Sequence, residues 1–229
     1  MPTRLIEDKV WWDKRRKLNG ICSEISEASG AHQNVLLLAH FETTLAEIEA
    51  ELSRRSVQIQ RLASIDFSSL CSSPIATLWS GLARSFPPPR HTSNDWGATK
   101  LSQNAINHGR DARATTETGQ YVFPLNIIVA EHYPLRSRDE QLIDAADGIA
   151  CEAQLTFHLS LDDPLLLNFG VQSVQDFGRR LGIDEETFLS NAMITRSIKQ
   201  AQEKIEKQLP RDLPAVSIED WFKHNLPAK

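Results

Sequence analysis

Leu38 to Leu62 read LAHFETTLAEIEAELSRRSVQIQRL, and within this stretch Leu38, Phe41, Leu45, Ile48, Leu52, Arg55, Ile59 and Leu62 recur at alternating steps of three and four. That period places one stripe along a helix and predicts a coiled-coil-like seam with a single charged interruption, Arg55. Upstream, Trp11, Lys14, Leu18, Ile21, Ile25 and Ala28 keep the same steps. Ser29-Gly30-Ala31-His32 separates the two stretches, with glycine as a helix stop. Residues 7–63 therefore predict an antiparallel helical hairpin with a longer second arm. A charge on such a seam needs an acidic group or an open edge, which makes Arg55 a candidate partner-binding residue.

Working outward, Ser73 and Pro74 predict the start of a third helix carrying Ile75, Leu78, Trp79, Leu82 and Phe86 on one face, ended by Pro87-Pro88-Pro89. From there to Gly119 the chain is polar and has no apolar period, so 87–119 reads as an exposed linker or insertion. Inside it, Asn107 to Thr115 resembles the tract produced when certain dispersed bacterial intergenic repeats are translated. The resemblance implies a bacterial gene whose surface loop accepted an insertion, since insertions cost least there.

Beyond Gly119 the period becomes two. Phe123, Leu125, Ile127 and Val129 alternate with Pro124, Asn126, Ile128 and Ala130, and the run from Cys151 to Leu161 alternates likewise, predicting a half-buried strand. Arg138 to Asp147 suits a short helix between the two runs. In the last third, Ser173 opens a short helix, Gly182 ends it, and Asp184 caps a longer one from Glu185 to about Leu209. Ser217-Ile218-Glu219-Asp220 is a near capping box opening an amphipathic piece. Its Trp221 and Phe222 are aromatic anchors and are candidate partner-binding residues.

These elements predict an α+β fold, mainly helical. It would comprise a helical region at 1–86 with its N-terminal antiparallel hairpin, the linker at 87–119, and a mixed region at 120–229 with about two strands and a helical C-terminus.

Composition sets bounds on the class. A chain of 229 residues with 41% hydrophobic and 24% charged residues builds an ordinary core. Cys22, Cys71 and Cys151 are widely spaced and form no CxxC pair, which suits reduced thiols in the cytoplasm. No run approaches the ~18 apolar residues of a membrane span, and the first residues lack a signal-peptide core. The net charge of −5 is concentrated in residues 120–171, which hold two basic and eight acidic side chains. Such a segment is a poor nucleic-acid surface, because affinity there comes from neutralising phosphates.

Chemistry candidates are few. Glu131, His132, Asp147, Glu152 and His158 lie on or beside the two alternating runs and would bind a divalent metal, or act as acid and base, if their polar faces converged. The alternative is a solvated, acidic sheet face. No GxSxG, GxxxxGK[ST] or GxGxxG motif is present, so the common hydrolase and nucleotide-binding signatures are missing and no cofactor is expected. Val174 to Ile198 has the packing pattern of a helix-turn-helix, but Asp184-Glu185-Glu186 would set three carboxylates against phosphate. The basic run Lys14 to Lys17 reads as a solvated face.

The sequence thus reads as a non-enzymatic, cytoplasmic, bacterial protein–protein interaction subunit or adaptor whose partner is another protein subunit, with no membrane association. A helix-turn-helix DNA-binding regulator and a metal-dependent hydrolase or nuclease are the alternatives. Deleting about 99–117 should leave the thermal midpoint of the protein nearly unchanged, because stability depends only slowly on loop length; differential scanning calorimetry of the deletion variant checks this.

Overall fold

The computed structural model describes residues 3–31, 33–57, 59–61, 76–80, 125–147, 152–169, 171–180 and 182–226. Its strands are β1 (Arg4–Leu5), β2 (Lys9–Trp11), β3 (Asn34–Ala39), β4 (Gln60–Arg61), β5 (Ala76–Ser80), β6 (Leu125–Val129) and β7 (Ala153–Ser160). Its helices are α1 (Lys14–Gly30), α2 (Glu42–Arg54), α3 (Arg136–Asp147), α4 (Pro164–Phe169), α5 (Val171–Arg180), α6 (Ala192–Gln208) and α7 (Ile218–Asn225). The strands form one sheet in the order β1-β7-β6-β3-β5-β4, and β2 continues along the edge of β7 that β1 occupies. Every neighbouring pair is parallel.

Parallel strands need crossover connections that lay helices on the sheet faces, and the core divides accordingly. Leu36, Leu38, Ile127, Val129, Leu155, Phe157 and Leu159 pack on one face with Leu142 and Ala146 of α3, Ile194, Ile198 and Ile205 of α6, and Trp221 of α7. Val35, Leu37, Ala39, Ile128 and Ala130 face the other way and pack with Ile21 and Ile25 of α1 and Leu45, Ile48 and Leu52 of α2. The neighbours in each strand alternate between the two clusters, as the period of two requires. This is a Rossmann-like α/β architecture.

The expected mainly helical α+β fold is therefore overturned. No antiparallel hairpin and no coiled coil is present among the described residues, because the supposed second arm is a strand followed by a helix. Leu38 lies in β3, which pairs with β5 on one side and β6 on the other, and of the seam only Leu45, Ile48 and Leu52 lie within α2, all buried, with Phe41 as its N-cap. Arg55 is the C-cap of α2 rather than a seam residue. The first arm likewise loses Trp11 to β2. At 76–80 the chain is a strand where a helix was expected.

The strand-helix-strand order read between 123 and 161 is present as β6, α3 and β7. The half-buried reading of β7 fails, since Thr156, His158 and Ser160 on its polar side are as buried as Leu155 and Phe157. In the last third, α6 starts at Ala192 behind an Asn191 cap that accepts from the Met193 N–H, not at Glu185. Ser217 caps α7 through the Asp220 N–H, 3.1 Å away. The linker expected at 87–119 lies outside the described residues, and strands from both sides of it share the one sheet.

Gly20 sits inside α1 directly over the buried Trp11 indole, and a Cβ built there would fall 2.1 Å from Trp11 Cζ2. Glycine inside a helix ordinarily costs about 1 kcal/mol relative to alanine. Here Gly20→Ala should instead destabilise, by roughly 1–3 kcal/mol, because the indole has to shift within a packed core. Urea denaturation monitored by tryptophan fluorescence gives the sign.

Candidate functional site

The direction of strand succession reverses between β3 and β6. From β3 the chain runs outward to β4 and β5 on one side, and β6 and β7 build the other side. In open parallel sheets, ligands settle in the crevice beyond the strand C-termini at this reversal. The residues there are His40 and Phe41 after β3, and Glu131, His132 and Tyr133 after β6.

Glu131 turns toward α2. Its Oε1 accepts the His40 and Phe41 N–H groups at 2.9 and 3.0 Å, and its Oε2 accepts the Thr44 hydroxyl. The N-cap of α2, Phe41, has no capping side chain of its own. A carboxylate from the neighbouring strand thus occupies the helix N-terminus, where an anionic ligand would otherwise be stabilised by the unpaired N–H groups. Burial raises the Glu131 pKa, an effect opposed by Lys17 and the hydroxyl of Thr44. Lys17 itself is buried and bonds both oxygens of Asp163 at 3.0 Å, and Asp163 also accepts the Ser160 N–H and hydroxyl.

His132, the next residue, points to the opposite sheet face and stacks on Phe157 with ring centroids 4.1 Å apart. It lies between two carboxylates: Nδ1 is 2.6 Å from Asp139 Oδ2 and Nε2 is 3.3 Å from Asp8 Oδ1. Burial disfavours its charge, but Asp139 and Asp8 outweigh that and raise its pKa to about 10. Asp139 is reciprocally held well below the usual carboxylate range, burial being overcome by His132 and His40. Its two oxygens also accept the Tyr133 N–H at 3.0 Å and the Gln202 amide at 2.5 Å, so one carboxylate ties β6 to α3 and α6.

The crevice is roofed by the C-terminal segment. The Tyr133 hydroxyl and the Trp221 indole N–H both donate to Asp212 Oδ1 at 2.8 Å, Arg138 pairs with Asp212 at 3.0 Å, and the Thr43 N–H donates to the Val216 carbonyl. Tyr133 stacks on Phe41 and meets Trp221 edge-on.

The residues singled out from sequence do not converge. Glu131 and His132 diverge to opposite faces, Glu152 is exposed ahead of β7, and His158 is buried beside α1, accepting the Trp11 indole N–H at 3.1 Å with Glu24 3.4 Å from its Nε2. Asp147 accepts the Thr3 N–H at an exposed edge. Among the described residues no group of three His, Cys, Asp or Glu side chains could hold a metal ion. The helix-turn-helix reading fails on geometry: α5 ends at Arg180 and α6 starts at Ala192, where that motif needs a turn of ~3–4 residues. Glu185 and Glu186 in the intervening segment pair with Arg16 of α1. Of the partner-binding candidates, Trp221 is fully buried within its own chain, Phe222 is half-buried beside it, and Arg55 bonds Glu51 and Asn19.

Sequence reading missed Asp8, Lys17, Tyr133, Asp139 and Gln202. Two of them carried a signal. Asp139 lies on the stripe of α3 that also buries Leu142 and Ala146, and Lys17 lies one turn before Ile21 on the buried face of α1. A charge on an apolar stripe marks a buried partner.

Fold and site together define a parallel α/β domain whose strand-end crevice is filled by its own side chains. By sequence it is similar to stretches of the protein translocase subunit SecA. It is 28% identical to that of Chlorobium phaeovibrioides over 206 residues, 89% of this chain and 18% of that protein. It is 25% identical to that of Christiangramia forsetii over 201 residues, 88% of this chain and 16% of that protein, and 34% identical to that of Campylobacter concisus over 110 residues, 48% of this chain and 13% of that protein. The chain spans under a fifth of the length of these curated relatives. No family model matches. Among solved structures, the C-terminal part of the Fun30 ATPase domain aligns with a TM-score of 0.38 and 14% identity, covering 83% of this chain and 54% of that one. No helix of the described residues is long and apolar enough to cross a membrane.

His132 gains its proton affinity on folding, so its stabilising contribution is complete below its ordinary pKa of 6.5 and is lost as pH rises toward 10. The contribution of Asp139 is present above its ordinary value of 3.8 and is lost on acidification. Stability should therefore fall between pH 7 and 10, and Asp139→Asn should flatten that slope. Denaturation curves across this range, with NMR of the His132 ring as the direct readout, check both.

Proposed function

We propose that this chain is a protein–protein interaction subunit, an α/β docking domain of a multi-protein assembly that performs no catalysis of its own. The observation that carries the reading is Glu131 seated on the N-terminal end of α2. A phosphate brought to this crevice would meet a buried carboxylate, and the sequence has no phosphate-cradling glycine loop to offer instead. The likeness to stretches of translocase subunits supports an assembly component of that kind. Arg55 and the exposed edge of Phe222 are the proposed contacts with a partner subunit.

Two measurements on the purified protein test this. Isothermal titration with ATP and magnesium should give no saturable heat, and no phosphate release above background. Chemical cross-linking in the source cells, followed by reconstitution with the protein captured, should give a complex weakened by Arg55→Glu and Phe222→Ala at a temperature well below the melting point of each variant, so that loss of fold does not account for the weakening. Nucleotide turnover, or a complex indifferent to both substitutions, would sink the proposal.

A further inference from the structure

The face of the sheet opposite α1 and α2 carries a second feature, independent of the docking reading. Between the β1–β2 connection, α3 and α6 lies a cleft of about 150 Å³ whose walls include Leu5, Ile143 and Phe157 and whose rim carries Lys199. Its floor is the Asp8–His132 pair. Asp8 is 4% exposed and His132 5%. His132 Nε2 approaches Asp8 Oδ1, while Asp8 Oδ2 has no hydrogen-bond partner, and the Thr195 hydroxyl on α6 also lacks one. Buried acceptors are rarely left unmade, because each costs about 1–3 kcal/mol.

The charges specify what would satisfy them. Asp139 is saturated by His132, Tyr133, Gln202 and the nearby His40. Asp8 and Asp139 share His132 between them, with His40 also 3.3 Å from Asp139, so the Asp8 carboxylate is only partly paired. Arg136 at the cleft wall is engaged with Glu140 and Glu203 and does not balance it. An unpaired carboxylate oxygen and an unpaired hydroxyl on residues lining one cleft with apolar walls suit a planar cation with several N–H donors and little hydration to lose.

We propose that this cleft is a binding site for a guanidinium group, which donates to Asp8 Oδ2 and Thr195 Oγ1. The group can come from a free small molecule or from an arginine side chain of a partner protein.

NMR titration of the full chain decides the matter, using methylguanidinium chloride and N-acetyl-arginine amide as probes against sodium chloride at equal ionic strength. Saturable shifts around Asp8, Thr195 and Phe157 are expected. Thr195→Val should weaken binding, and Asp8→Asn should weaken it by about tenfold or more. Lys199→Glu, a rim change that leaves the floor intact, should tighten it several-fold, so the test survives if Asp8→Asn fails to fold. Tighter binding of the arginine amide assigns the group to a protein partner, and equal or weaker binding to a small molecule. Absence of saturation at about 50 mM probe, or affinity unaffected by Thr195→Val and Lys199→Glu, would overturn the site and leave a solvated cleft. Neither result bears on nucleotide binding or on the complex formed through Arg55 and Phe222.

Discussion

Burial of β3, β6 and β7 on both faces is the constraint from which the rest of the structure follows. A central parallel strand exposes no polar face, so each of its side chains must find either an apolar neighbour or a hydrogen-bond partner inside. Helices therefore cover both sides, and the polar residues of β7 acquire internal partners, His158 with the Trp11 indole and Ser160 with Asp163. The helix order along the chain then sets where the strand succession reverses, and hence where the crevice opens.

At that crevice the protein supplies from its own chain what a ligand supplies elsewhere. Glu131 takes the N-terminal end of α2, and Tyr133, Asp212 and Trp221 close the space above it. Most charges beside it are shared: Asp139 has four neighbours across three elements, and Lys17 pairs with Asp163. Removing one member of such a network strands the others, which is a large cost inside a protein and a small one at its surface.

The sequence contained the helices better than the strands. Phe41 to Leu52, Leu142 with Ala146, and Ser217 with Trp221 were recognisable by their spacing and caps, because helix amphipathicity and capping are local properties. The alternation of 153–160 was legible as a strand for the same reason. By contrast, Asn34 to Ala39 is six buried residues in a row, and a short unbroken apolar run has no period to separate a buried strand from a helix. Leu38 happened to stand three residues before Phe41 and so extended the helical stripe backwards into a strand.

What the sequence determined by itself was therefore local: the amphipathic stripes from Phe41 to Leu52 and over Leu142 and Ala146, the Ser217 cap, and the extended run of β7. Only tertiary structure decided that the strands pair in parallel, that Glu131 and His132 part to opposite faces, and that Asp8 meets His132 across 124 positions of chain. Strand pairing and ion pairing at such separations depend on which surfaces are brought together, and spacing along one chain carries no record of that.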